Sequence, residues 1–197
     1  MNKLLLPLLF ASLLFLTTFC GTAPRKEQQN DPQEKTASLT GAEKAFMKNL
    51  ASLCGKSFQG KETYMQEGRE SWASKKFVMH VTLCEEDQVH IPFHLDEDRS
   101  RTWMFLIDDG HLRFRHDHRH EDGTPEEQTL YGGYADGTGN AYRQHFPADE
   151  YTTELLSDTL DRQWNIVLSE DLSNFSYQLQ YLGEIVFQAD FDLTKPL

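Results

Sequence analysis

The chain has 197 residues, with 19 Lys and Arg against 31 Asp and Glu for a net charge of −12, 12% aromatic residues and three cysteines. That length makes one ordinary domain with an appendage rather than two domains. A field this negative argues against bulk electrostatic binding of nucleic acid or of an anionic bilayer, because both need a basic face.

Residues 1–19, MNKLLLPLLFASLLFLTTF, put one lysine ahead of a dense Leu/Phe run that stops at Cys20 and Gly21. This is the anatomy of a secretory signal, and the apolar stretch is short for a membrane span of about 20 residues. A cysteine closing such a run resembles the lipobox of bacterial lipoproteins, with Phe19 standing where that motif has a small residue. The resemblance implies diacylation of Cys20, a membrane tether through that lipid and a place in the bacterial cell envelope. An ordinary signal cut between residues 19 and 23 implies a secreted protein instead. Residues 20–38 carry Pro24, Pro32 and both signs of charge without an apolar period, which reads as a disordered tether. With Cys20 given to lipid, Cys54 and Cys84 remain. In an oxidising compartment such a pair is more often bridged than free, and two buried thiols are the other reading.

The segment 39–197 reads as one domain. Thr40-Gly41-Ala42-Glu43 is a capping box that starts a helix. Phe46, Leu50, Leu53 and Cys54 then share one face, and Gly55 can supply a left-handed stop. After Gly55 the apolar period falls to two. Phe77, Met79, Val81 and Leu83 alternate with other residues, followed by Val89, Ile91, Phe93 and Leu95, and then Trp103, Phe105 and Ile107. Later runs are Trp164, Ile166 and Leu168; Phe175, Tyr177, Leu179 and Tyr181; and Ile185, Phe187, Ala189 and Phe191. These are half-buried strands, punctuated by turns such as Asp108-Asp109-Gly110 and Leu182-Gly183. Asp149 caps the one helical interruption, over 150–156. Short links make antiparallel neighbours, so the pattern predicts an all-β, up-and-down barrel of about nine or ten strands, with a two-sheet sandwich as the alternative. The meander with an early helix resembles the calycin architecture of lipocalins and fatty-acid-binding proteins. The Gly-x-Trp signature of lipocalins is missing, so no ligand follows from that resemblance.

The most unusual segment is Leu112-Arg113-Phe114-Arg115-His116-Asp117-His118-Arg119-His120. Alternation puts Leu112, Phe114, His116, His118 and His120 on one face and Arg113, Arg115, Asp117 and Arg119 on the other. If Ile107 pairs with Leu112, then Phe105 meets Phe114 and Trp103 meets His116. RHDHRHEDG, followed by YGG and FPAD, resembles an uncharacterised family of secreted or lipid-anchored bacterial proteins. That resemblance implies export and no activity. Three readings of the histidine strand stay open. In the first, His116, His118 and His120 are a metal site, because a strand His-x-His projects two imidazoles one way, about 7 Å apart. In the second, a polar network of Trp103, His116, Asp117, His118 and His120 rigidifies the strand or faces a ligand. The third is a solvated rim. A further set, His80, His90 and His94, falls on one outer face where it would titrate near neutral pH, and His145 stands alone as a structural residue.

The chain has no nucleophile elbow, no His-Glu-x-x-His, no phosphate-cradling glycine loop and no Cys-x-x-Cys. No catalytic residue is assigned. The sequence supports an exported, lipid-anchored barrel that binds a small apolar ligand or an envelope partner without catalysis and without a cofactor. Its rival is a metal-binding protein or metal-dependent enzyme built on His116, His118 and His120, for which a divalent metal is the cofactor.

Overall fold

The capping box forms as the sequence predicts. In the computed structural model, which describes residues 38–157 and 161–197, Thr40 Oγ1 accepts from the Glu43 amide at 3.2 Å and Glu43 Oε2 accepts from the Thr40 amide at 2.7 Å. The signal-like run, the tether and Cys20 lie outside the described residues. Helix α1 covers Gly41–Ala51 and buries Phe46 and Leu50 completely. It ends earlier than Gly55, with Ser52 as its C-cap. Gly55, at φ 77°, instead turns the chain into the first strand, and its amide donates to Val81 O at 2.8 Å.

Among the described residues eleven strands follow: β1 Ser57–Met65, β2 Phe77–His80, β3 Leu83–Cys84, β4 Gln88–Leu95, β5 Asp98–Asp108, β6 His111–His118, β7 Tyr131–Tyr134, β8 Arg143–Pro147, β9 Arg162–Leu168, β10 Asn174–Tyr181 and β11 Glu184–Pro196. A second helix, α2 Glu150–Leu156, precedes β9, and Asp149 caps it by accepting from the Thr152 amide. Ten strands run in one continuous order, β7-β6-β5-β4-β2-β1-β11-β10-β9-β8, and β3 adds a short pairing to β4. Every neighbouring pair is antiparallel. The first and last strands pair with each other, so the free edges fall mid-chain, on β7 and β8. Those edges meet through Asp136 N to His145 O and Asp149 N to Gly132 O, both 3.1 Å. The result is a nearly closed antiparallel barrel rather than two stacked sheets.

Alternation fills it. Along β4, Val89, Ile91, Phe93 and Leu95 are buried while the residues between them are half-buried. The β5–β6 hairpin has the register that its apolar faces demand: Ile107 opposite Leu112, Phe105 opposite Phe114, Trp103 opposite His116. Helix α1 plugs one end of the barrel. Phe46 meets Phe105 edge-on, with ring centroids 6.1 Å apart, and Asn49 Nδ2 donates to Ala141 O at 2.8 Å. A disulfide between Cys54 and Cys84, with Cα atoms 6.2 Å apart, ties the turn after α1 to β3. Such a bond belongs to chains that mature in oxidising surroundings outside the cytoplasm.

Arg115 departs from the simple inside–outside pattern. It points outward as its parity requires, yet it is only 3% exposed, because α2 lies over this face of β6. Asp149 accepts from its Nη2, Thr152 Oγ1 lies 3.4 Å from its Nη1, and its guanidinium sits 5.7 Å from the Tyr151 ring centre.

Candidate functional site at the open end

At the end away from α1 the inward stripes change from apolar to polar. The β5 stripe runs Phe105, Trp103, Arg101; the β6 stripe runs Phe114, His116, His118; the β9 stripe runs Ile166, Trp164, Arg162. Between them lies a cavity of about 390 Å³, which is within the size range of small-molecule sites. Its walls are aromatic: Trp72, Phe93, Trp103, Tyr131, Trp164, Tyr177 and Phe187. Trp103 stacks between Phe93 and Tyr177 at centroid distances of 4.8 Å each and interplanar angles of 9° and 11°. Trp72 belongs to the long connection between β1 and β2 and packs edge-on against Phe187 and Phe77.

His116 is at the centre of a satisfied polar relay in this wall. Its Nδ1 lies 3.2 Å from Tyr131 O, and a carbonyl only accepts, so Nδ1 carries the proton. Nε2 therefore accepts from the Tyr177 hydroxyl at 2.9 Å. The Trp164 ring packs against the imidazole, with ring centroids 5.0 Å apart. Burial dominates the titration of the group: it lowers His116 to about 3, against the hydrogen bond that its ring donates to the Tyr131 carbonyl. Burial likewise raises Tyr131 to about 12 and pushes Tyr177 well above the ordinary phenol. His118, also lowered chiefly by burial, lies 3.0 Å through Nε2 from the Tyr131 hydroxyl and 3.7 Å through Nδ1 from Glu126. The sequence favours a carboxylate as the partner of a buried His116. A phenol and a carbonyl take that role instead, because the strands that face β6 across the lumen present aromatic residues there.

Of the residues singled out in the sequence, Trp103, His116 and His118 come together on the cavity. Asp117 does not join them: it faces outward, where it accepts from Arg119 at 2.7 Å and from Thr129 at 3.3 Å. His120 is exposed beyond the end of β6. Both nitrogens of His116 are engaged within the protein, and among the described residues no group of three or more His, Cys, Asp and Glu is placed to hold a metal ion.

On the outer face His80 and His94 do sit together, their Nε2 and Nδ1 3.0 Å apart, with Ser57 Oγ 2.7 Å from His80 Nδ1. All three histidines of that set are lowered chiefly by burial rather than titrating as free surface groups. His90 Nε2 is buried without a hydrogen-bond partner among the described residues. His145 is structural, its Nδ1 2.7 Å from Asn165 Oδ1.

Sequence reasoning did not single out Arg101, Arg162, Tyr131, Trp164 or Tyr177 as site residues. The signal for the two arginines was present: each stands one alternation step past the last aromatic residue of a stripe already recognised. Fold and cavity together define an antiparallel β-barrel with an aromatic-lined interior. No family model matches the chain and no curated protein is similar to it, so the family resemblance of the RHDHRHEDG segment gains no assignment. Among solved structures, a redesigned β-barrel, mFAP1, solved bound to DFHBI, is similar over 73% of this chain and 98% of its own, with 10% identity and a TM-score of 0.31. A likeness at that level carries no inference about this chain.

Proposed function

We propose that this protein is an exported, noncatalytic binding barrel that holds a small, largely apolar ligand in the cavity at its open end, tethered to the envelope through lipid on Cys20. The observation that carries the reading is the aromatic cavity itself, left between stripes that elsewhere fill the barrel. Among the described residues no serine, threonine or cysteine lines it, and His116, the buried base, has both nitrogens committed to the fold. A binding role uses such a wall as it stands. Export is supported by the disulfide and by the signal-like start of the chain.

Ala189, 1% exposed on the cavity wall, offers the test. Titration with the neutral fluorophore N-phenyl-1-naphthylamine should show saturable binding to the wild type. An Ala189→Phe variant that keeps its near-ultraviolet dichroism should lose that binding. Equal binding by both proteins would overturn the lumen as the site. For the tether, membrane fractionation should find the wild type in the pellet and a Cys20→Ser variant in the soluble fraction; equal solubility would overturn lipidation.

A further inference from the structure

The β1–β2 connection, residues 66–76, supplies Arg69, Glu70 and Trp72 to the cavity lining. It is exposed at every position except Trp72, which is half-buried. Its two ends are fixed to the barrel. Gln66 N donates to Val186 O at 2.9 Å, and the Lys76 amide donates to Asp96 Oδ1 at 2.8 Å while its carbonyl accepts from the Asp96 amide at 2.9 Å. Between these ends, among the described residues, no backbone hydrogen bond runs from 67–74 to a strand. A segment with so little buried contact opens at far lower cost than the barrel itself.

One carboxylate holds the middle of the connection. Glu62 Oε1 accepts from the Ser71 hydroxyl at 2.7 Å, and its Oε2 accepts from the Trp72 amide at 2.5 Å. Glu62 stands opposite Ala189 in the β1–β11 ladder, so it takes the inward face of β1 beside a residue of the cavity wall. A carboxylate at an inward position is costly unless it is answered, and here the donors come from the connection. With both in place, the Trp72 ring lies edge-on to Phe77 and Phe187 at centroid distances of 6.5 and 5.6 Å. Arg101 lies 5.9 Å from the centre of that ring, and Arg69 lies 4.8 Å from the centre of the Tyr181 ring. Ring contacts of this kind tolerate sliding, so the two charge-assisted hydrogen bonds on Glu62 are what fix the segment in place.

We infer that the β1–β2 connection is a strap that closes over the bound ligand and that Glu62 is its latch, so that ligand enters and leaves when Ser71 and Trp72 come off the carboxylate. This rests on the binding reading above and assigns the regulation of that same site. Glu62 is not part of the cavity lining; it acts through Ser71 and Trp72 and is a positioning residue. A latch that closes alike over the empty and the filled cavity sets both exchange rates and leaves the affinity alone. A residue that merely supports the wall changes the affinity.

Stopped-flow fluorescence with N-phenyl-1-naphthylamine separates the two on the wild type and on a Glu62→Gln variant with unchanged near-ultraviolet dichroism. Association and dissociation rate constants should both rise in the variant by about tenfold, the effect of one lost hydrogen bond to a charged group. Their ratio should stay within about twofold, a change too small to be such a bond. Hydrogen exchange at the Trp72 amide should accelerate with the rates. Ser71→Ala, at an exposed position that removes one donor, should move both rates the same way and gives the comparison should Glu62→Gln fail to fold. Unchanged rates, or faster dissociation alone with a matching loss of affinity, would overturn the latch while leaving the cavity as a binding site. Failure of the probe to bind the wild type would overturn the binding reading, and the latch with it.

Discussion

An imidazole kept neutral in the folded barrel and ordinary in the unfolded chain ties stability to pH at one residue. His116 falls from 6.5 to about 3 on folding, chiefly through burial. Between those values the unfolded chain takes up a proton that the folded one refuses, so stability is complete above about pH 6.5 and is lost as the pH falls toward 3. From pH 7 to pH 5 this single group should cost about 2 kcal/mol. His80, His90, His94 and His118 are lowered as well and act in the same direction, so the contribution of His116 must be read by difference. Urea midpoints at the two pH values should move apart less in a His116→Gln variant than in the wild type. An unchanged separation in His116→Gln would show that the residue titrates the same way folded and unfolded. The position of His116 opposite Trp103 is legible from the sequence, because the parity of one hairpin settles it. Its partners Tyr177 and Trp164 are not, since they come from strands that meet β6 only across the lumen, and nothing local in the text says which residue of β10 stands opposite.

Between elements, closure of the barrel depends on two glycines and one short helix. A Cβ on Gly133 would stand 1.7 Å from Pro147 O, and one on Gly132, at φ 155°, would stand 2.0 Å from Phe114 O. Both contacts are backbone, so neither can swing aside. Thr152 of α2 then clamps the joint, accepting from Gly132 N at 2.7 Å and donating to Gly132 O at 2.8 Å. Arg115, held by Asp149 and covered by α2, anchors the same clamp to β6. Gly133→Ala should therefore part β7 from β8 and destabilise the fold by about 3 kcal/mol, at the upper end of overpacking costs. Amide hydrogen exchange at Asp136 and Asp149, whose bonds bridge the two edges, should accelerate with it. Native-like protection at both amides would show that the joint tolerates the methyl group. The strands and the Asp149 cap are legible in the sequence because alternation and capping are local signals. The burial of Arg115 is not, because it depends on where α2 docks, and on the strand alone the residue reads as one of a row of solvated arginines.

Over the whole molecule the two ends of the barrel have separate tasks. The α1 end is sealed by Phe46 and Leu50 and stapled by the disulfide, while the cavity and its arginines occupy the other. The up-and-down order is readable from turn spacing, but the pairing of β1 with β11 is not. It closes the sheet through residues more than a hundred positions apart, such as Lys61 and Asp190, with no sequence signal beyond alternation on each strand. This separation predicts that the staple can be removed without touching the site. The Cys54–Cys84 bond spans a sequence separation of 30 residues, which corresponds to about 3–4 kcal/mol of restraint on the unfolded chain. For a domain of this size that is a loss on the order of 10 °C in melting temperature for a Cys54→Ser/Cys84→Ser variant. Binding of N-phenyl-1-naphthylamine well below the transition should be unchanged, because neither cysteine lines the cavity and α1 plugs the opposite end. A variant that melts lower and also loses the probe would show that the two ends are coupled through the core stack of Phe105, Phe114 and Tyr177, and would refute the division of tasks even with the stability forecast met.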